Sequence, residues 1–477
     1  QRAAGAGRSG VIDRRPYLAL VGLVVFLGWV VPMANSLWID ETMTYWFVKD
    51  GIQLTVERAY SSNNFSPYYA VAWLAVQLGG QSEIALRLPS IVAMSVATLF
   101  IHRIGTRLCD EETGFLACVV FVGIYDVSFA AADARTYAFT LMAMTGAVLA
   151  ALRWMDGARL WDGVAMILSA ALTFYGHVLL GLGLVVPILF ILQRFVAMLA
   201  MVGLLLIPLA IQMRAFMAMG TAYMWAGTPN LPQLLAAIAP PQLFAPFIVG
   251  LVAAYVTHAN VRSLWKPAKS VVAMLLAWLL FVPTVFFLVS RTTGIEVFLP
   301  RYLLSTSPAV ALLLACFIRS LDPMTVRRVV VGVMAGLSLT GWMLSSGFHR
   351  GEDWRRAMAV VREHTEGTNV PLVVASCFVE ARSPKDLDNP LLKEALFAPL
   401  AFYPAPGKVI RMPRDLDEDH ARQVFERDLA WETRFLLLTC GETETAQWMT
   451  RYATDRQFHV DPVMNFRGLE LRTFWIR

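Results

Sequence analysis

Apolar runs of membrane-crossing length recur along the chain near residues 17–34, 86–108, 113–131, 134–153, 160–176, 177–193, 195–213, 236–257, 269–289, 302–319 and 326–346. A hydrocarbon core takes about 20 apolar residues in helix, so this pattern predicts about eleven spans. The stretch SPYYAVAWLAVQLG, residues 66–79, is apolar but short and has no flanking basic cluster. It reads as a helix lying in the interface, and counting it as a span would invert the side of every later connection. A cleaved leader is the rival reading of 17–34, set aside because WIDETM continues the run at once.

The pattern changes from about residue 347. VPLVVASC and RFLLLTCG are of strand length and alternate with amphipathic DWRRAMAVVREHTE and DEDHARQVFERDLAWE, which predicts a small α/β domain. The expected division is a transmembrane domain over 1–346, with a first outer loop at 35–85, and an extracytoplasmic α/β domain over 347–477. Cys377 and Cys440 each end a predicted strand. If those strands are neighbours in an oxidising compartment, a disulfide is feasible. Cys109, Cys118 and Cys316 fall in or beside spans and read as small buried hydrophobes. No Cys or His spacing resembles a zinc cluster.

Composition agrees with the pattern. The chain has 477 residues, 57% hydrophobic and 16% charged, the balance of a polytopic α-helical membrane protein. Its net charge of +5 is scattered between apolar runs rather than gathered in a stripe, which argues against a nucleic-acid partner and for membrane-flanking basic residues. With a cytoplasmic N-terminus, the connections carrying Arg14 and Arg15, Arg103 and Arg107, Arg153 and Arg159, Arg194, Arg262 and Lys266, and Arg319, Arg327 and Arg328 all fall inside. Asp40 and Glu41, the 132–137 turn, His177, Arg301 and the tail then fall outside, the periplasmic side of an inner membrane.

This sidedness gives the outer polar groups their interest. Asp40 and Glu41, in WIDETM, end the first span, where carboxylates are costly unless they bind or react. The bland reading is a helix cap, with Ser36 or Asp40 in that role. AADARTYAF brings Asp133, Arg135 and Tyr137 to the outer end of the fourth span, FYGHVLL brings Tyr175 and His177 to the next outer turn, and FLPRYLL brings Arg301 and Tyr302 to the tenth. An arginine fork suits phosphate oxygens; snorkelling Arg and interfacial Tyr are the bland alternatives. Together an acid pair and outward Arg–Tyr pairs suit transfer of a group from a lipid-linked phosphate to a hydroxyl, because the arginine stabilises the leaving phosphate and an aspartate serves as base.

The order WIDETMTYWFVKDG, SEIALRLPSIVAMSVATLFIHRIGTRL, DARTYAFTLMAMTGAVLAALR, TFYGHVLLGLGL, FLPRYLLSTSPAVALLLA and EDWRRAMAVVREH resembles the GT-C membrane glycosyltransferases, specifically the branch of protein O-mannosyltransferases and lipid A aminoarabinose transferases. The resemblance covers roughly residues 17–365. It implies a polyprenyl-phosphate-sugar donor bound from the bilayer and a hydroxyl-bearing glycan, lipid or protein acceptor arriving from outside. Asp40 is then the base and Glu41 its neighbour in the acid pair. Arg301 with Tyr302 would contact the donor phosphate, joined by Arg135 and Tyr137, while Asp133, His177, Tyr175 and Tyr68 would contact substrate. Related chains carry a His or Lys before Pro-Pro in the first loop. Here Phe65, Ser66 and a single Pro67 stand there, so Lys49 or Arg58 is the expected substitute. A divalent metal is compatible with the superfamily, and no metal ligand is assigned. The rival classes are a transporter or flippase, which needs polar residues deep in spans or paired broken helices, and a non-catalytic polyprenyl-phosphate receptor.

Overall fold

A computed structural model describes residues 13–62, 66–157, 159–192, 196–218, 227–257, 262–263, 266–346, 351–388 and 393–476. The chain divides into two compact units, one drawn from 1–33, 65–68 and 87–348, the other from 34–64, 69–86 and 349–477. Phe65, in the first outer loop, and Arg194 lie outside the described residues.

The first unit is the membrane unit. Among the described residues, Arg15–Ala34, Glu83–Leu108, Tyr137–Gly157, Lys269–Thr293, Pro300–Ser320 and Met324–Leu344 are each long and apolar enough to span, which makes 6, or up to 8 if two bent pairs are each one span. The protein is therefore multi-pass. Eleven is not reached by this measure: 160–176 and 177–193 form shorter apolar helices, and 195–213 folds as Val196–Leu205 followed by Ile207–Ala218.

The bends have local causes. Glu111–Gly123 and Tyr125–Ala131 meet at 76° because Ile124 is extended (φ −73°, ψ 126°). The carbonyl of Val122 accepts from Ser128 Oγ at 3.1 Å, and that oxygen accepts from Trp29 Nε1 at 2.9 Å, so polar groups at the break stay satisfied. Leu231–Ile238 and Leu243–Thr257 meet at 56° across Pro240–Pro241, where proline cannot continue the ladder.

Within the membrane unit, several of the basic residues expected on the inner side meet acids. At one end of the membrane unit, Arg14 pairs with Glu111 at 2.8 Å and Arg319 with Asp110 at 2.7 Å. Glu112 pairs with Arg327 and accepts from Tyr17 Oη at 3.0 Å. Several basic residues read as membrane-flanking are thus held by acids rather than snorkelling.

The second unit holds a mixed sheet. Its strands are β1 (Leu372–Ala375), β2 (Val409–Met412), β3 (Arg434–Cys440), β4 (His459–Val460), β5 (Met464–Asn465) and β6 (Leu469–Trp475), in the order β2-β1-β3-β6-β4 with β5 also on β6. β1 is parallel to β2 and β3, and β6 is antiparallel to β3. The expected strands and the Trp354–Thr365 helix are present. Because β1 and β3 are neighbours, Cys377 and Cys440 come to a Cα–Cα distance of 5.5 Å and form the disulfide.

The first outer loop of the sequence division, 35–85, falls mostly in the second unit. The first outer stretch, with helices Ile39–Val48 and Ile52–Ser61, packs with the C-terminal residues rather than with the spans. Tyr45 meets the Phe402 ring edge-on at 4.8 Å, and Arg355 Nε donates to Glu83 at 2.9 Å. The 66–79 segment forms the helix Tyr68–Gly79, with Val71, Leu74 and Leu78 exposed, an apolar stripe suited to an interface.

Candidate active site

In the second unit the acid pair opens the helix Ile39–Val48, and the two acids differ. Glu41 is buried, and its Oε2 accepts from the Trp38 amide at 3.2 Å. This makes Glu41 the residue that closes its own helix start, a role the bland reading gave to Ser36 or Asp40. Asp40 is half-buried. A third acid, absent from the sequence reading, joins them: Glu352 Oε2 accepts from the Ile39 amide at 3.1 Å. Burial, then the negative charges of Asp40 and Glu41, raise the Glu352 carboxyl above its ordinary range, against the opposing effect of its backbone hydrogen bonds.

Lys49 and Arg58, the expected substitutes for the missing loop cation, both pair with Asp50, at 2.8 and 2.5 Å. Arg58 also donates to the Trp46 carbonyl at 2.6 Å and lies over the Trp46 ring. Their pairing with Asp50 outweighs the desolvation that opposes it and holds the Asp50 carboxyl below its ordinary range. These cations hold a turn together.

In the membrane unit Tyr137 and Tyr302 come together around His177. This residue breaks the helix Leu160–Gly176 with an extended backbone, φ −163°. Its ring lies 5.6 Å from that of Tyr137 and 5.2 Å from that of Tyr302. Arg135 and Arg301 are both near enough to act on its charge, and Arg301 lies 5.9 Å from the Tyr302 ring centroid. His177 Nδ1 has no hydrogen-bond partner among the described residues.

Glycines make this convergence geometrically possible. A Cβ on Gly176 would stand 2.4 Å from Thr140 Oγ1, and one on Gly183 would stand 2.5 Å from Ser305 Cβ. The GHVLLGLG segment therefore packs directly on the Tyr137–Gly157 helix and on the turn after Arg301–Tyr302. Asp133 is buried, and its carbonyl accepts from the Arg135 amide at 2.8 Å, a tight turn that presents Arg135.

The two tyrosines expected at substrate each make a hydrogen bond within the membrane unit. Tyr68 is buried and shares a 3.0 Å hydrogen bond with Ser90 Oγ, which in turn lies 3.4 Å from the Arg135 carbonyl. Tyr68 thus buttresses the Arg135 turn. Tyr175 donates to the Leu205 carbonyl at 3.0 Å.

Beside Arg301 lies a cavity of about 300 Å³, walled by Pro300, Leu303, Phe298 and the bend residues Tyr125, Asp126 and Pro240 among others. Its mostly apolar wall with a few polar groups is the composition of a site for an amphiphile. Among the described residues no three His, Cys, Asp or Glu side chains gather as a metal-holding group.

No family model and no curated protein matches the chain. Among solved structures, ArnT from Cupriavidus metallidurans bound to undecaprenyl phosphate is similar at a TM-score of 0.57 and 11% identity, covering 97% of this chain and 98% of that one. ArnT from the same organism in the apo state is similar at 0.56 and 13%, covering 96% and 97%. These two likenesses show the fold: the chain is folded like ArnT over nearly its whole length.

Proposed function

We propose that this protein is an integral membrane glycosyltransferase that moves a sugar from a polyprenyl-phosphate-linked donor to a hydroxyl of an acceptor outside the membrane, with inversion. The observation that carries this reading is the gathering of Arg135, Tyr137, His177, Arg301 and Tyr302 at one end of the membrane unit, beside a largely apolar cavity. That is the chemistry a lipid-linked phosphate requires: donors for the oxygens and an apolar wall for the prenyl chain. The fold shared with a protein solved with undecaprenyl phosphate adds weight to it, although fold alone does not fix function.

In this mechanism Asp40 takes the acceptor hydroxyl proton as the oxygen attacks the anomeric carbon. The bond from that carbon to the phosphate oxygen breaks, the electron pair leaves with the polyprenyl phosphate, and Arg301 stabilises the growing charge. In this proposed division of labour the donor-phosphate contacts are assigned to residues of the membrane unit and acceptor activation to Asp40 of the second unit. The Cys377–Cys440 disulfide suits an oxidising compartment and hence an outer-face location of that unit.

The test uses the full chain in detergent with a panel of polyprenyl-phosphate sugars, reading thermal stabilisation and transfer products. A ligand that binds only the folded form raises its apparent stability. Absence of stabilisation by every donor rejects the reading. Stabilisation without product on any acceptor favours the non-catalytic receptor or, given the two bent spans, a lipid transporter. Sidedness is tested by Arg362→Cys and Arg159→Cys: an impermeant thiol reagent in intact cells is expected to label position 362 and spare 159, and the reverse pattern removes the outer-face assignment.

A further inference from the structure

The backbone leading into Asp40 is held by side chains more than 300 positions away. Ala34 O accepts from Arg355 Nη2 at 2.8 Å, and Ser36 Oγ accepts from the Arg355 amide at 3.1 Å. The Leu37 amide donates to Tyr403 Oη at 2.8 Å, and the Ile39 amide donates to Glu352 Oε2 at 3.1 Å. Two of these anchors are themselves tied, because Glu83 Oε1 accepts from Arg355 Nε and from Tyr403 Oη, each at 2.9 Å.

Sequence explains why the clasp is needed. The residue at the cap position of the Asp40 helix is Trp38, whose side chain makes no cap hydrogen bond. First-turn amides left without acceptors destabilise a helix start. Glu41 takes the Trp38 amide, and the Ile39 amide goes to Glu352. Close approach is secured by Gly351 at φ +59°, where a Cβ would stand 2.4 Å from that of Trp38. The same GEDWR segment supplies Gly351, Glu352 and Arg355.

We propose that Glu352 and Arg355 are positioning residues for the transfer reaction: they clamp 34–39 and so fix the placement of Asp40. The C-terminal residues are then part of the catalytic machinery, rather than a separately functioning appendage. This rests on the reading of Asp40 as base. A side chain held in reacting geometry contributes through orientation, and a displacement of about 1 Å can cost on the order of 100-fold in rate.

The test measures Glu352→Ala and Glu352→Gln in the full chain, by transfer kinetics and by amide hydrogen exchange over 39–42. Glu352→Ala is expected to lower kcat by about 10- to 100-fold, leave the donor KM within about twofold, and speed exchange at Ile39. Glu352→Gln keeps an oxygen acceptor and is expected to recover most of the rate and the protection. A KM held constant while kcat falls, with rescue by Gln, is not what a general loss of fold produces. Should Glu352→Ala fail to fold, Arg355→Lys takes its place, since it loses the fork to Glu83 and Ala34 while keeping the charge. Active wild type with an indifferent Glu352→Ala rejects the positioning role alone. If Gln is as poor as Ala while exchange is unchanged, the charge and not the clamp matters, and the proposal is overturned. Wild type inactive on every donor rejects the transferase reading and the positioning role with it.

Discussion

The aromatic–arginine cluster of the membrane unit and the acid-bearing segment 34–41 of the second unit are built by different physics. Around His177 the groups are brought together by steric fit. Gly176 and Gly183 remove side chains where helices must touch, and the rings of Tyr137 and Tyr302 pack on the imidazole. Around Asp40 the backbone is fixed by directional hydrogen bonds, donated by Arg355 and accepted by Tyr403 and Glu352. The first arrangement suits a site for an amphiphile, which needs shape and a few charges. The second suits a base, whose usefulness depends on tenths of an ångström. The proposed division of labour therefore has a kinetic signature: changes at the cluster should appear in donor affinity, and changes at the segment in turnover.

The largest expected effect breaks the comparison outright if it fails. Asp40→Asn keeps the shape and removes the base, so transfer should fall by on the order of 100-fold or more. Donor-induced stabilisation should persist. Near-normal transfer would move the base elsewhere, with Asp133 next in line.

Arg301→Lys probes the other region. It keeps the charge but loses the fork, so donor affinity should weaken by roughly 1–3 kcal/mol, read as a shift in the donor titration with kcat little changed. Unchanged donor affinity with a lowered unfolding midpoint would make Arg301 a structural anchor instead.

What the chain reveals in advance tracks how local each signal is. Apolar run length is a local property, so the multi-pass character is legible. Alternating sides also foretell that Arg135, His177 and Arg301 share one end of the membrane unit. Strand-length runs mark β1 and β3, and their neighbouring positions make the Cys377–Cys440 pair possible. Sequence order alone assigns the first outer stretch to the spans, because it follows one. Its true partners are Arg355 and Tyr403, and no periodicity encodes a bond between residues 34 and 355. EDWR is visible as a motif without a role, because the amide that Glu352 accepts from belongs to a helix 313 residues earlier. Lys49 and Arg58 look available for phosphate because their pairing with Asp50 depends on a turn. The bend at Ile124 has no proline to announce it, whereas Pro240–Pro241 is a readable break inside a run whose apolarity alone suggests one straight span.

A steric comparison comes next in size. Gly351→Ala places a methyl on Trp38 at a left-handed φ, and Gly183→Ala places one on Ser305. Overpacking of this kind typically costs about 1–3 kcal/mol. Both should lower the unfolding midpoint, but Gly351→Ala should reduce turnover and Gly183→Ala should weaken donor binding. Identical kinetic consequences from the two would erase the distinction between the regions.

The smallest expected effect is a pH dependence of stability that originates in the acids at the start of the Ile39–Val48 helix. Glu352 has a folded pKa raised by burial and by Asp40 and Glu41, whereas an unfolded glutamate titrates at about 4.3. Between those values the folded form binds more protons than the unfolded form, so stability falls as pH rises. The contribution is complete below the unfolded value and is lost as pH climbs through the folded one. Above both values the ionised Glu352 carries a constant penalty. Glu352→Gln cannot ionise, so its unfolding midpoint should decline less than wild type on going from acid to neutral pH. Asp50, whose carboxyl is lowered by Lys49 and Arg58, works in the opposite sense: its stabilisation is present above the ordinary carboxylate range and fades as pH drops. Comparing Glu352→Gln with Asp50→Asn over the same pH series separates the two signs. Parallel profiles for wild type and Glu352→Gln would mean that the acids at the helix start are better screened than their proximity implies, and the electrostatic part of the segment's description would fall while its hydrogen bonds stand.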